Sequence, residues 1–170
     1  MAYFLIVLAV ILRLVPHMPN FAPIAALALF GGAYLNKKWA IIIPLAAMFI
    51  SDLYIGTYSW KIMASVYISF ALVGLIGMYI RNHKNIFTVA GGALSGSLLF
   101  FVITNFAVWA FGSMYTHNLS GLFSCYTAAI PFFRATLAGD VFYTTAFFGS
   151  YELVALLARK REEAKLETSV

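Results

Sequence analysis

The sequence predicts an all-α integral membrane protein of six transmembrane helices. Three observations carry that reading. Only 10% of the 170 residues are charged, whereas 63% are apolar or aromatic, against about 25% charged in a soluble domain. Mean hydropathy is +0.91, more apolar surface than the interior of a soluble chain this size can hide. The apolar residues fall into six runs divided by short polar or basic segments. The alternating pattern of a membrane β-barrel is missing, and helices satisfy their own backbone in lipid.

The first run, 2–15, is short. As no basic residue precedes it and no small-x-small site follows, it reads as part of the mature protein rather than a signal peptide. The second, 21–36, is entered through Pro23. The third, 39–58, is interrupted in polarity by Ser51 and Asp52. The fourth covers 62–80 and the fifth 86–112, where Gly92 and Gly96 give the Gly-x-x-x-Gly spacing of close helix packing. The sixth, about 131–158, is predicted to open at Pro131, because proline suits a first helical turn. One domain, 1–158, precedes a charged tail, 159–170.

With six crossings both termini share a side. The loops and tail on that side hold Lys37, Lys38, Arg81, Lys84, Arg159, Lys160, Arg161 and Lys165, and only Arg13, Lys61 and Arg134 lie on the other. The positive-inside bias then places both termini in the cytoplasm. The net charge of +5 is spent on orientation, so nucleic acid is not an expected partner. The single cysteine, Cys125, excludes an intrachain disulfide and a cysteine-based zinc site. No cofactor or metal is expected.

The remaining polar residues gather on the outer side, which predicts a pocket open to the outside. Arg13, His17 and Asn20 fall in the first outer loop, and Asp52, Tyr58, Trp60 and Lys61 at the second. Asn105, Trp109, Tyr115, His117, Cys125 and Tyr126 surround the third. Arg134 and Asp140 continue down the sixth helix, Asp140 about 14 Å deep at 1.5 Å per residue. A carboxylate at that depth costs roughly 2.5–3.5 kcal/mol unless paired or hydrated. Asp52 and Arg134, both near outer helix ends, are candidate mates across the bundle. The aromatic residues serve equally well as interfacial anchors. Glu152 reads as a snorkelling or capping group near the cytoplasmic end, where little else but basic loop residues is expected. No phosphate-binding loop, His-Glu-x-x-His or Gly-x-Ser-x-Gly motif occurs, so the chain carries no ATPase of its own and no recognised catalytic signature.

A family resemblance adds to this. The run Pro19-Asn20-Phe21-Ala22-Pro23, then Ala28-Leu29-Phe30-Gly31-Gly32-Ala33-Tyr34, then Pro44-Leu45 with Ser51-Asp52, resembles the substrate-binding membrane subunits (S components) of energy-coupling-factor (ECF) vitamin transporters. The resemblance covers most of 1–158. It implies capture of a vitamin or related nutrient from outside, Pro16 to Pro23 as a lid, and a pocket wall near Asp52, Asn105, Trp109 and Tyr126. It also implies a transmembrane coupling subunit and two ABC-type ATPases as partners. The first helix departs from that family: Ala2 and Ala9 lack the Ala-x-x-x-Ala spacing used there for docking. The residue set Arg13, His17, Asn20, Asp52, Tyr58, Asn105, Trp109, Tyr126, Arg134 and Asp140 is therefore the expected substrate site. The alternatives are a structural subunit of a larger membrane complex, and a small membrane enzyme using Asp52, His117 or Asp140.

Overall fold

A computed structural model describes residues 2–15, 20–56 and 58–167. Six helices follow one another: α1 (Ala2–Leu14), α2 (Ile24–Tyr34), α3 (Ile42–Ile55), α4 (Trp60–Asn82), α5 (Ile86–Phe111) and α6 (Leu119–Glu167). No strand occurs among the described residues. Three helices, α4, α5 and α6, are long and apolar enough to cross a membrane. The chain is a membrane protein on that ground. At 13, 11 and 14 residues, α1, α2 and α3 extend only about 20, 16 and 21 Å, short of a hydrocarbon core of about 30 Å.

Chain direction alternates. Arg13 meets Asp52, and Lys61 lies over the ring of Phe111, so these residues share the end of the bundle where α4 starts. At the other end Arg81 donates to the carbonyls of Gly32, Ala33 and Leu35, and Tyr34 and Lys84 both meet Glu152. The two are called here the Trp60 end and the Asn82 end.

The shortest helix is the hub. Every residue of α2 from Ile24 to Ala33 is buried, and α2 contacts all five other helices. Its sequence makes this possible, since four alanines and two glycines among its eleven residues let neighbouring backbones come close. The tightest point is the crossing with α4. A Cβ on Gly32 would lie 2.2 Å from the carbonyl oxygen of Gly74, and one on Gly77 would lie 2.2 Å from that of Leu29. The predicted Gly-x-x-x-Gly face of α5 also packs on α4, with Gly92 toward Ile80 and Gly96 toward Val73. The buried Ser51, Ser65 and Ser69 donate to the preceding turn of their own helix, as Ser69 does to the Ser65 carbonyl at 2.7 Å, so their hydroxyls are not orphaned in the apolar interior.

Helix boundaries follow local chemistry. Asn85 caps α5 by accepting from the amides of Phe87 and Thr88, each at 2.9 Å, while Thr88 Oγ1 accepts from the Asn85 amide, a reciprocal capping box. Gly56, at φ 119°, ends α3 in a conformation that glycine adopts without strain.

The sixth element differs from expectation. It begins at Leu119 rather than Pro131, and Pro131 lies inside it. Proline removes one hydrogen bond from a helix interior, but in lipid the flanking backbone has no better alternative than to continue the helix. Cys125 and Tyr126 consequently sit on α6 and not in a loop. The tail from Arg159 continues the same helix as far as Glu167.

Candidate functional site

Two adjoining cavities open in the half of the bundle toward the Trp60 end. One, of about 290 Å³, is lined by Arg13, Asn20, Ala22, Ile24, Ala25, Met48, Ile55, Tyr58, Val66, Phe70, Phe100, Thr136 and Asp140. The other, of about 240 Å³, shares Asn20, Phe100 and Thr136 with it and adds Asn105 among its walls. All six helices or the turns beside them contribute to the pair.

Arg13 enters the first cavity from the end of α1 and is held rigidly. Its Nη1 donates to Ser51 Oγ at 2.5 Å and to the Met48 carbonyl at 3.2 Å, and its Nη2 donates to Asp52 Oδ1 at 2.5 Å. The other carboxylate oxygen of Asp52 accepts from Tyr67 Oη at 2.8 Å. The pair is buried, with Arg13 and Asp52 side chains 14% and 4% exposed. Serial residues Ser51 and Asp52 both reach Arg13 because they occupy the last full turn of α3, one turn beyond Met48. The site thus cancels its own positive charge. Tyr58 lines the same cavity from the turn after α3.

The floor is Asp140. It is 2% exposed, and its Oδ2 accepts from Ser97 Oγ on α5 at 2.6 Å. Neither the Arg13–Asp52 nor the Lys84–Glu152 ion pair includes Asp140. Beside it Gly139 lets the chain segment at Phe21 and Ala22 rest on α6, since a Cβ there would lie 3.2 Å from the Phe21 Cα. One wall is aromatic: Phe70 and Phe100 stack with centroids 5.0 Å apart and planes 25° apart. Asn20 has φ 63°, a left-handed conformation that asparagine tolerates better than most residues.

Of the ten residues expected at the site, the fold brings Arg13, Asn20, Tyr58 and Asp140 to the first cavity, with Asp52 behind Arg13, and places Asn105 at the second. Three lie elsewhere. Trp109 donates to the Thr116 carbonyl and Tyr126 to the Val102 carbonyl, both outside the two linings. Arg134 is exposed on α6, and the expected Asp52–Arg134 pairing is replaced by Asp52–Arg13, because α1 and α3 are neighbours. His17 and the Pro16–Pro19 part of the expected lid lie outside the described residues. Sequence reasoning missed Tyr67, Phe70, Ser97, Phe100 and Thr136. They are ordinary residues of apolar helices, and only the helix register brings Phe70, Phe100 and Thr136 to the cavity and Tyr67 and Ser97 to the carboxyl groups of Asp52 and Asp140.

The Asn82 end is richer than expected. A groove of about 580 Å³ runs between α5 and α6, with Tyr34, Lys84, Asn85 and Glu152 at its mouth. Its length is mainly apolar, broken by Thr144 and Thr145, and flanked by exposed Ile86, Leu94 and Val141, as suits a surface covered by lipid. At the mouth Glu152 accepts from Tyr34 Oη and Lys84 Nζ, each at 2.5 Å, instead of snorkelling alone. The Lys84 and Glu152 side chains are 37% and 44% exposed, so this pair contributes little: Glu152→Gln is expected to cost less than about 1 kcal/mol, read as a small change in detergent melting temperature. No group of three or more histidine, cysteine or acidic side chains fit to hold a metal occurs among the described residues.

No curated protein and no solved structure matches the chain. A family model does, over residues 1–164. The chain, with its buried Arg13–Asp52 pair and an acidic cavity floor, belongs to the family of unknown function DUF6580.

Proposed function

We propose that the protein is a substrate-capture subunit for uptake of a vitamin or related small nutrient, set in the cytoplasmic membrane with both termini inside and six passes, of which α4, α5 and α6 cover the full thickness and the shorter α1, α2 and α3 only part of it. Its Trp60 end faces out, because eight of the eleven Lys and Arg residues belong to the other side. The observation that carries the reading is the cavity at the Trp60 end, where a few polar groups converge on an otherwise apolar space, the usual make-up of a small-molecule site. Its volume of about 290 Å³ lies at the low end for ligand pockets, which suits a compact nutrient. The sequence holds no nucleotide-binding loop, so energy would come from a partner: a transmembrane coupling subunit with two ABC-type ATPases, as the S-component resemblance implies.

Affinity purification of the tagged protein from its own membranes in mild detergent, with mass spectrometry of proteins and small molecules, tests this. Recovery of a coupling subunit with two ATPases, or of a bound metabolite, is the expected result. Recovery within an unrelated membrane complex would overturn it in favour of a structural subunit, a reading to which the exposed apolar groove between α5 and α6 lends itself.

A further inference from the structure

The outer cavity holds one acid with no cationic partner among the described residues. Arg13 is neutralised by Asp52, which is itself held by Tyr67. Asp140 has no such mate among the described residues. The groups that face it or share its cavity are Ser97 from α5, Phe70 from α4, Arg13 from α1, Tyr58 from the turn after α3, Asn20 from the turn before α2, and Thr136 from α6 itself. Arg13 alone among these is cationic, and three of its hydrogen bonds go to α3. Ser97 supplies a single hydrogen bond to Oδ2, and no described residue donates to Oδ1. The carboxyl is nevertheless one of the most enclosed polar groups of the bundle, at 2% exposure.

A carboxylate in the membrane interior is expensive unless a positive charge meets it. Here the vacant carboxylate oxygen belongs to a residue that lines the cavity. The same cavity presents the stacked Phe70–Phe100 pair, and aromatic faces attract cations by their ring quadrupoles. A buried acid together with two phenyl rings is a receptor for a positively charged nitrogen.

We propose that the ligand of this cavity is a small organic cation, with Asp140 as its counter-charge and Phe70 and Phe100 as the surface against which it lies. The inference rests on the capture reading and narrows it to one substrate class. An anionic nutrient finds no free cation among the described residues of the cavity, and a neutral one brings Asp140 no counter-charge.

Probes matched in shape and differing in charge test this. Phenethylamine, 2-phenylethanol and phenylacetate share a ring and chain and carry a cationic, neutral and anionic head group. Choline and 3,3-dimethylbutanol form a second pair. Each is added at millimolar concentration to the detergent-purified protein, and melting temperature and direct binding are followed. The expected result is stabilisation by the cations only. Asp140→Asn loses it, with an affinity drop of at least about tenfold from the missing charge-assisted contact, and Asp140→Glu retains it. The melting temperature of each variant without probe shows whether it folds. Should Asp140→Asn fail to fold, the charge series on the wild-type protein still decides. Equal or better binding of the neutral or anionic members overturns the cation assignment and leaves capture standing. Cation binding undiminished in a folded Asp140→Asn variant overturns the assignment to Asp140. Absence of any binding overturns both the assignment and capture at this cavity.

Discussion

Loss of either member of the Arg13–Asp52 pair is expected to destabilise the protein by about 3–5 kcal/mol, because each single removal leaves a buried charge unpaired. Arg13→Met strands the Asp52 carboxylate, 4% exposed, with only Tyr67 Oη among the described residues left donating to it. Asp52→Leu strands the guanidinium against Ser51 and the Met48 carbonyl. The double replacement removes both charges together, and apolar residues in place of a buried pair are often neutral in cost. It should therefore cost less than the sum of the single changes, with a coupling of at least about 1 kcal/mol. Unfolding of the four proteins in a mixed detergent series measures this. Single replacements that each leave stability within about 0.5 kcal/mol of wild type would show the pair to be hydrated and energetically minor. Ligand binding by the double variant, if it folds, separates the pair's role in holding α1 to α3 from any contact of Arg13 with cargo.

The second large effect belongs to the α2–α4 crossing. Gly32→Ala is expected to cost about 3 kcal/mol, at the upper end of ordinary overpacking. The new methyl would stand 2.2 Å from the Gly74 carbonyl oxygen and 2.8 Å from the Gly77 Cα. Both are backbone atoms, so relief requires the two helices to move apart, and α2 is the hub on which every other helix rests. Gly77→Ala meets the Leu29 carbonyl from the other side and should be as severe. Gly91→Ala is the matched control, since nothing lies within 4 Å of its added Cβ. It should leave stability unchanged or raise it by up to about 1 kcal/mol, the helical advantage of alanine over glycine. Equal melting temperatures for Gly32→Ala and Gly91→Ala would show that the crossing has room for the added methyl.

Composition and patterning dictate the solvent and the element type. Scarce charge, six apolar runs and the absence of alternation leave only helices in lipid, and the fifth run, 86–112, agrees with α5 at Ile86–Phe111 because Asn85 and Gly112 punctuate it locally. The sequence also points to Asp52 and Asp140, for a reason of energy alone: a carboxylate in an apolar run must be answered by something. What answers each was a matter of tertiary structure. Arg13 and Asp52 are 39 positions apart, Ser97 and Asp140 are 43 apart, and no local pattern encodes a pairing across helices. Arg134 seemed as good a mate for Asp52 by depth, but depth does not say which helices are neighbours. Pro131 misled for a related reason, since in water it would be a boundary, whereas lipid penalises an open backbone more than one lost hydrogen bond. The hub position of α2 was likewise decided in three dimensions. Its small residues permit close approach, but burial on every side follows from the other five helices all packing around an element too short to span on its own.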